Sequence, residues 1–299
     1  MPKNQPTSNY IPRRSILYIP GSNSRAISKA KTLNADGYIF DLEDAVAPNA
    51  KVEARQRVCD HITKEPYANC ETIIRINSFD TEWGMSDFRA ACNAKPNAIL
   101  LPMVETNETL KKAEKLMQDY GADKSIKIWA MLETPLGILN AKDIAFSSDR
   151  LTSLVMGTSD LVHDLRAKQT SDRLPILTSL CTCILAARAA KVAIIDGVHL
   201  NLKDEEGYVR ACHQGSELGF DGKSLIHPDQ ISVANQIFGP NDKDIQQSND
   251  IIDAYTKIFK EDKAVTLLDG NLIENLHFEN AKRVLEIAKI ISKRNSPIP

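Results

Sequence analysis

Eight alternations of a short apolar run with a longer helical stretch predict a (β/α)8 barrel. Three observations carry that expectation. Runs such as AILLP and KIWAML are continuously apolar, as strands covered on both faces of a parallel sheet are. Each run is followed by a helical pattern. The chain's 299 residues suit one α/β barrel. A doubly wound open sheet is the alternative, but no GxGxxG follows the first strand.

Taken in order, strands are expected at Ile16–Pro20, Tyr38–Leu42, Thr72–Asn77, Ala98–Val104, Ile126–Leu132, Leu151–Met156, Val192–Leu200 and Lys223–Ile226. The helices between them are expected at Ser24–Leu33, Lys51–His61, Glu82–Cys92, Glu108–Tyr120 and Gly137–Ala145, then in a loop and long helix ending at Ala190, then at Glu205–Leu218 and Pro228–Phe238. Residues 1–240 would form the catalytic barrel. After Gly239-Pro240 the pattern changes. A charged helix over Asp242–Lys260, a hairpin over Ala264–Ile273 turning at Asp269-Gly270, and a helix over Phe278–Arg294 would make residues 241–299 a lid or oligomerisation segment with a frayed SPIP tail.

Composition sets limits. Hydrophobic residues make up 42% and charged residues 25%, an ordinary globular balance. Lys and Arg number 37 against 39 Asp and Glu, so no global charge favours nucleic acid, although a local basic patch for a phosphorylated ligand is compatible with it. The six cysteines lack zinc spacing and read as free thiols, which suits a reducing, cytoplasmic setting. MPKNQPTSNYIPRR has no apolar signal core, and no run is long enough to span a bilayer.

Active sites of such barrels lie at the C-terminal strand ends. Strand two ends in Asp41-Leu42-Glu43-Asp44, strand three carries Arg75, strand five ends at Glu133, and Asp160 follows strand six. Several carboxylates on one rim repel one another unless a cation joins them. Magnesium takes hard oxygen ligands and often only one or two protein carboxylates, so Glu133 and Asp160 are its candidate ligands (manganese would take the same set). Glu43 and Asp44 would hold its water, and Arg75 would clamp a substrate carboxylate through its fork. Each residue taken singly reads better as a rim salt-bridge partner; together they favour a site. His227, before Pro228, reads as fixing a turn, whereas His163 and His199 are isolated.

These residues lie in segments that resemble the citrate lyase beta-subunit-like family. That family includes malyl-, citramalyl- and citryl-thioester lyases of the phosphoenolpyruvate/pyruvate barrel superfamily, within the HpcH/HpaI aldolases. The resemblance runs through RRSILYIPGSNSRAISKA, DGYIFDLEDAVAPNAKVEAR, IIRIN, LETPLGI, GTSDL, AARAAKVAIIDGVHLNLKDEEG, LGFDGKSLIHPDQI and LLDGNLIENLHFENAKRVL, nearly the whole chain in order. It implies Mg2+ on Glu133 and Asp160, and substrate bound by Arg75 with Pro135 and Leu136 nearby. It also implies coenzyme A phosphates near Arg14, Arg25 and Lys29, and proton transfer by an acidic residue of the tail, here Glu274, reaching a neighbouring subunit's active site. Trimers or hexamers are implied too.

The reaction implied is cleavage or formation of a carbon–carbon bond in a hydroxyacyl-CoA thioester, giving acetyl-CoA and a keto acid or glyoxylate. The alternatives are a malyl-CoA thioesterase or malate-synthase-like activity, a metal-dependent aldolase acting on free hydroxy-keto acids, and a weakly catalytic, regulatory coenzyme A-binding paralogue. Two departures stand out. LPMVE carries Met103 where many members have lysine, and LIEN carries Glu274 where aspartate is usual. The extra methylene moves the carboxyl by about 1.5 Å, and misplacement on that scale costs roughly 100-fold in rate.

Overall fold

The computed structural model describes residues 10–67, 70–259, 265–268 and 270–295. The expected SPIP tail, Ala264 at the start of the hairpin, Asp269 at its turn, and Lys260 at the end of its helix lie outside these residues. Among the described residues, no helix is long and apolar enough to cross a membrane.

Eight parallel strands close into a barrel in chain order: β1 Ser15–Pro20, β2 Gly37–Asp41, β3 Glu71–Arg75, β4 Ala98–Leu101, β5 Lys127–Leu132, β6 Leu151–Met156, β7 Ala193–Asp196 and β8 Gly222–Leu225. Helices follow at α1 Ser24–Ala30, α2 Lys51–Lys64, α3 Gly84–Ala94, α4 Asn107–Asp119, α5 Pro135–Leu139, α6 Ala141–Ala145, α7 Thr158–Asp164, α8 Leu177–Ala190, α9 Glu205–Leu218 and α10 Ile231–Ile237. The fold is the expected (β/α)8 barrel.

Several local expectations change; the third and fourth strands, for example, stop at Arg75 and Leu101. The seventh strand stops at Asp196, so Gly197 to Leu200 become rim loop. The helix expected over Gly137–Ala145 is two short helices meeting at Asn140, whose amide reaches back to the Glu105 carbonyl at 2.8 Å and serves a loop instead of a continuous helix. The segment after β6 opens with α7, which puts Asp160 in a helical first turn.

The barrel interior is filled by Ile16, Ile39, Ile73, Ala98, Leu100, Trp129, Met131, Val155 and Ile195, with Tyr18 packed against them. Side chains alternate along a strand. Asp41 lies two residues beyond Ile39, Arg75 two beyond Ile73, Glu133 two beyond Met131, and Gly157 two beyond Val155. The period that builds the apolar core therefore aims these positions into the C-terminal mouth. At the opposite end, Arg13 grips Glu71 at 2.6 and 2.9 Å and lies 5.2 Å from the Trp129 ring, while Arg14 grips Asp36 at 2.8 and 2.9 Å. These buried pairs fasten the start of β1.

By internal contacts the chain divides into two compact units, Arg13–Asn235 and a second formed by the described residues outside it. The second contains α11 Asp242–Phe259, the antiparallel hairpin β9 Thr266–Leu268 and β10 Asn271–Ile273, and α12 Asn275–Asn295. Within it Tyr255 stacks on Phe278 with centroids 4.9 Å apart, and Ile273, Ala281 and Ile287 are buried.

Candidate active site

The mouth of the barrel holds a cavity of about 320 Å³ lined by Tyr18, Asp41, Arg75, Met131, Asp160 and Ser224, among others. Its charged wall is built on the register that pairs Asp41 with Arg75 across β2 and β3. Arg75 Nε and Nη2 donate to the two Asp41 oxygens at 2.7 and 2.8 Å. Arg75 Nη1 reaches Glu43 Oε2 at 2.8 Å and Asp44 Oδ2 at 3.3 Å. The guanidinium also lies 5.0 Å from the Tyr18 ring centroid. Burial alone would lower the pKa of Arg75, but Asp41 and its other anionic neighbours lift it well above the ordinary range.

The forked edge of Arg75, expected to meet a substrate carboxylate, here holds Asp41, its register partner on the adjacent strand. The edge left toward a ligand is the one at Nη1, shared with Glu43 and Asp44.

Asp41 also shapes the loop after β2. It accepts the backbone N–H of Glu43 at 2.9 Å and that of Ala45 at 3.0 Å. From beneath, Lys51 Nζ donates to the carbonyls of Leu42 and Glu43 at 3.0 and 2.8 Å and to Asn77 Oδ1 at 2.7 Å. Glu43 is thereby held by its own backbone. Burial pushes its carboxyl up to about 8; Arg75 opposes this, and Asp44, Glu133 and Asp41 add to it.

Across the cavity Glu133 is 1% exposed. Its Oε1 accepts the Met103 N–H at 2.7 Å, and Met103 adopts φ 51°, a left-handed conformation uncommon for a side-chain-bearing residue. Gly157 packs so closely that a Cβ there would stand 2.4 Å from Glu133 Oε2. Asp160, exposed in the first turn of α7, lies close enough for its charge to act on Glu133. Burial pushes Glu133 up to about 7; the Met103 N–H and Arg75 oppose this, and Asp160's charge adds to it.

Two carboxylates crowded in this way, one buried and holding a proton more readily than usual, are the donor set a hard cation would relieve. Among the described residues no group of three or more His, Cys, Asp or Glu forms a metal cluster. The pair therefore fits magnesium, which completes its shell with water and ligand oxygens, better than it fits zinc.

The structure brings Arg75, Glu43, Asp44, Glu133 and Asp160 to one mouth. Pro135 and Leu136 begin α5 after Glu133, with the helix capped by Thr134, whose Oγ1 accepts the Gly137 N–H at 3.1 Å; Leu136 is 46% exposed. Arg25 lies in the first turn of α1, which follows the C-terminal end of β1, and Lys29 in its last turn; both are exposed. Arg14 is not brought there. It precedes β1 at the opposite end and is committed to Asp36, because a residue one position before a strand sits at that strand's N-terminal rim. Glu274 lies exposed in the second unit just after β10 and donates its N–H to His277 Nδ1 at 3.2 Å. His227 fixes a turn, as expected, its ring accepting the Asp229 N–H at 3.3 Å.

Sequence reasoning passed over Asp41, Tyr18 and Lys51 as site residues. The two-residue period marks Asp41 and Tyr18 as inward; nothing local marks Lys51.

The family profile described as HpcH/HpaI aldolase/citrate lyase matches residues 14–228. A (3S)-malyl-CoA thioesterase of Cereibacter sphaeroides is 43% identical over 281 residues, covering 94% of this chain and 96% of that protein. Citrate lyase subunit beta of Haemophilus influenzae is 35% identical over 93% of this chain and 97% of its own length. The citrate lyase beta subunit of M. tuberculosis, solved with oxaloacetate and magnesium, superposes with a TM-score of 0.65 at 26% identity, covering 79% of this chain and 100% of that one. The chain belongs to the HpcH/HpaI aldolase/citrate lyase family.

Proposed function

We propose that this chain cleaves the carbon–carbon bond of a small hydroxyacyl coenzyme A thioester, with malyl-CoA the first candidate. The observation that carries the reading is the pairing of a fixed guanidinium with a crowded carboxylate pair at one barrel mouth. Glu133 and Asp160 would hold a magnesium ion, which when bound draws electron density from oxygens of the substrate.

The remaining work falls to the chain's own groups. Arg75 Nη1 meets a carboxylate or keto oxygen of the acid. Glu43 and Asp44 flank that edge, and the Asp41 clamp keeps the guanidinium from swinging. In cleavage the hydroxyl proton passes to a base as the carbon–carbon bond breaks, releasing a keto acid or glyoxylate. The enolate of acetyl-CoA then takes a proton on carbon, for which Glu274 from the tail of a neighbouring copy of the chain is the proposed donor. Arg25 and Lys29 are proposed contacts for coenzyme A phosphates, Pro135 and Leu136 for the acyl part, and a trimer or hexamer is the proposed assembly.

Thioester hydrolysis is the second reading, favoured by the identity to the malyl-CoA thioesterase. One assay separates the two. Purified protein with magnesium is given malyl-CoA, citramalyl-CoA or citryl-CoA, and products are followed by chromatography. Acetyl-CoA with glyoxylate or a keto acid, lost on chelation and in Glu133→Ala, supports the lyase. Free coenzyme A with the intact hydroxy acid supports hydrolysis. Neither product from any thioester overturns both.

The metal assignment has its own test. Gly157→Ala places a Cβ 2.4 Å from Glu133 Oε2, so the carboxylate must move. Magnesium affinity measured by calorimetry should fall ~10–100-fold, the range for disturbing groups that orient a metal ligand. Unchanged affinity would remove the ion from Glu133.

A further inference from the structure

A second groove, of about 380 Å³, lies beside the mouth, between the loop joining α7 to α8 and the loop joining β7 to α9. It shares Thr158, Val198 and Leu200 with the mouth cavity but none of the mouth's charged residues except by neighbourhood. Close approach makes the shared wall possible: at Gly197 a Cβ would stand 2.3 Å from Thr158 Oγ1.

Charge beneath this groove is unbalanced. Asp196 is fully buried and takes Lys223 Nζ at 2.8 Å and Arg173 Nη1 at 2.7 and 2.8 Å. Lys223 is 1% exposed, and neither cation has a second ion-pair partner among the described residues. One carboxylate thus faces two cations, leaving a positive charge in a desolvated place. The two cations outweigh burial and hold the Asp196 carboxyl below its usual range.

Arg173 lines the groove. It adopts a left-handed backbone at φ 55°, and its Nε is fixed by Gln214 Oε1 at 2.6 Å. With Nε and Nη1 committed, Nη2 is buried with no hydrogen-bond partner, as is Nε2 of His199, which also lines the groove. Buried donors are almost always satisfied, so an orphaned guanidinium nitrogen calls for an acceptor. Lys168, exposed on the same wall, adds a further positive charge. The one carboxylate in the lining, Asp204, uses Oδ1 to accept the Gly207 N–H at 2.9 Å, and its Oδ2 stands 4.0 Å from His199 Nε2, too far for a hydrogen bond.

We infer that this groove is a binding site for a small anion bearing a carboxylate or phosphoryl group, which supplies the acceptor missing at Arg173 Nη2. The anion neutralises the excess charge of the Arg173–Asp196–Lys223 group through charge-assisted hydrogen bonds. Because the groove and the mouth share Thr158, Val198 and Leu200, its occupant braces the rim beside Asp160. This site is independent of which thioester the mouth accepts.

The test is calorimetric titration of the full chain with succinate and, separately, inorganic phosphate, in chelator so that no metal draws anions into the mouth. Saturable binding by at least one of them is expected, and which one binds identifies the carboxylate or phosphoryl source. Arg173→Lys keeps the charge on Asp196 but removes Nη2, and should weaken binding ~10–100-fold, as loss of a hydrogen bond to a charged group does. Lys168→Ala, at an exposed position that does not threaten folding, should weaken it several-fold, and Asp160→Asn should leave it unchanged. No saturable binding by either anion overturns the inference. So does affinity untouched by Lys168→Ala and by a folded Arg173→Lys protein, and so does binding abolished by Asp160→Asn.

Discussion

Glu133→Gln is expected to lower magnesium-dependent turnover by about 10²–10³-fold, the scale of losing one preorganised electrostatic group, without lowering the stability of the metal-free protein. The two effects separate because of where Glu133 stands. Gln keeps an oxygen for the Met103 N–H, 2.7 Å away in the native chain. What it removes is a carboxylate that burial and Asp160 make costly to ionise. The sign follows from linkage. A carboxyl raised from 4.5 to about 7 in the folded state keeps its proton there while the unfolded chain has already lost its own. Between those values the folded state binds more protons, so its contribution to stability falls as pH rises. Glutamine does not titrate. The stability advantage of Glu133→Gln over the native protein should therefore grow from pH 5 to pH 7.5, as read by urea denaturation in chelator. An advantage that shrinks over this interval would contradict the crowded-carboxylate account, whatever happens to turnover.

Arg75→Ala should be the more damaging change to the fold. Both oxygens of Asp41 depend on its fork, and Asp41 is 1% exposed. Without Arg75 that carboxylate keeps only the N–H groups of Glu43 and Ala45, and Glu43 and Asp44 lose their shared cation. Removing one partner of a buried pair costs about 3–5 kcal/mol, visible as a fall in the urea midpoint. Adding Asp41→Asn should recover part of the loss, because the unpaired charge is gone. Arg75→Lys should fall between, since an ammonium cannot hold both Asp41 oxygens and Glu43 at once. If Asp41→Asn deepened the loss instead, the clamp would not be what stabilises this wall.

Much of this was legible along the chain. The strand alternation, the apolar runs buried on both faces and the length settle the barrel, because these are periodic properties that each segment carries by itself. Glu133, Asp160, Arg75, Glu43 and Asp44 could be placed on one rim because every strand of a parallel barrel ends on the same side. Residue type and order sufficed for that.

Which side chain meets which was decided only by tertiary structure. The fork of Arg75 belongs to Asp41, through a register no spacing states. Arg14 belongs to Asp36 at the far end of the barrel, although it stands near Arg25 in the sequence. Lys51 holds up a loop eight residues before it by donating to the Glu43 carbonyl. Arg173 reaches Asp196 and Gln214 across 23 and 41 residues. Periodicity reports the face on which a residue lies, because that is set by its own backbone. Its partner is set by strand register and by the path of loops, and both are fixed only when the sheet closes and brings distant charges out of water together.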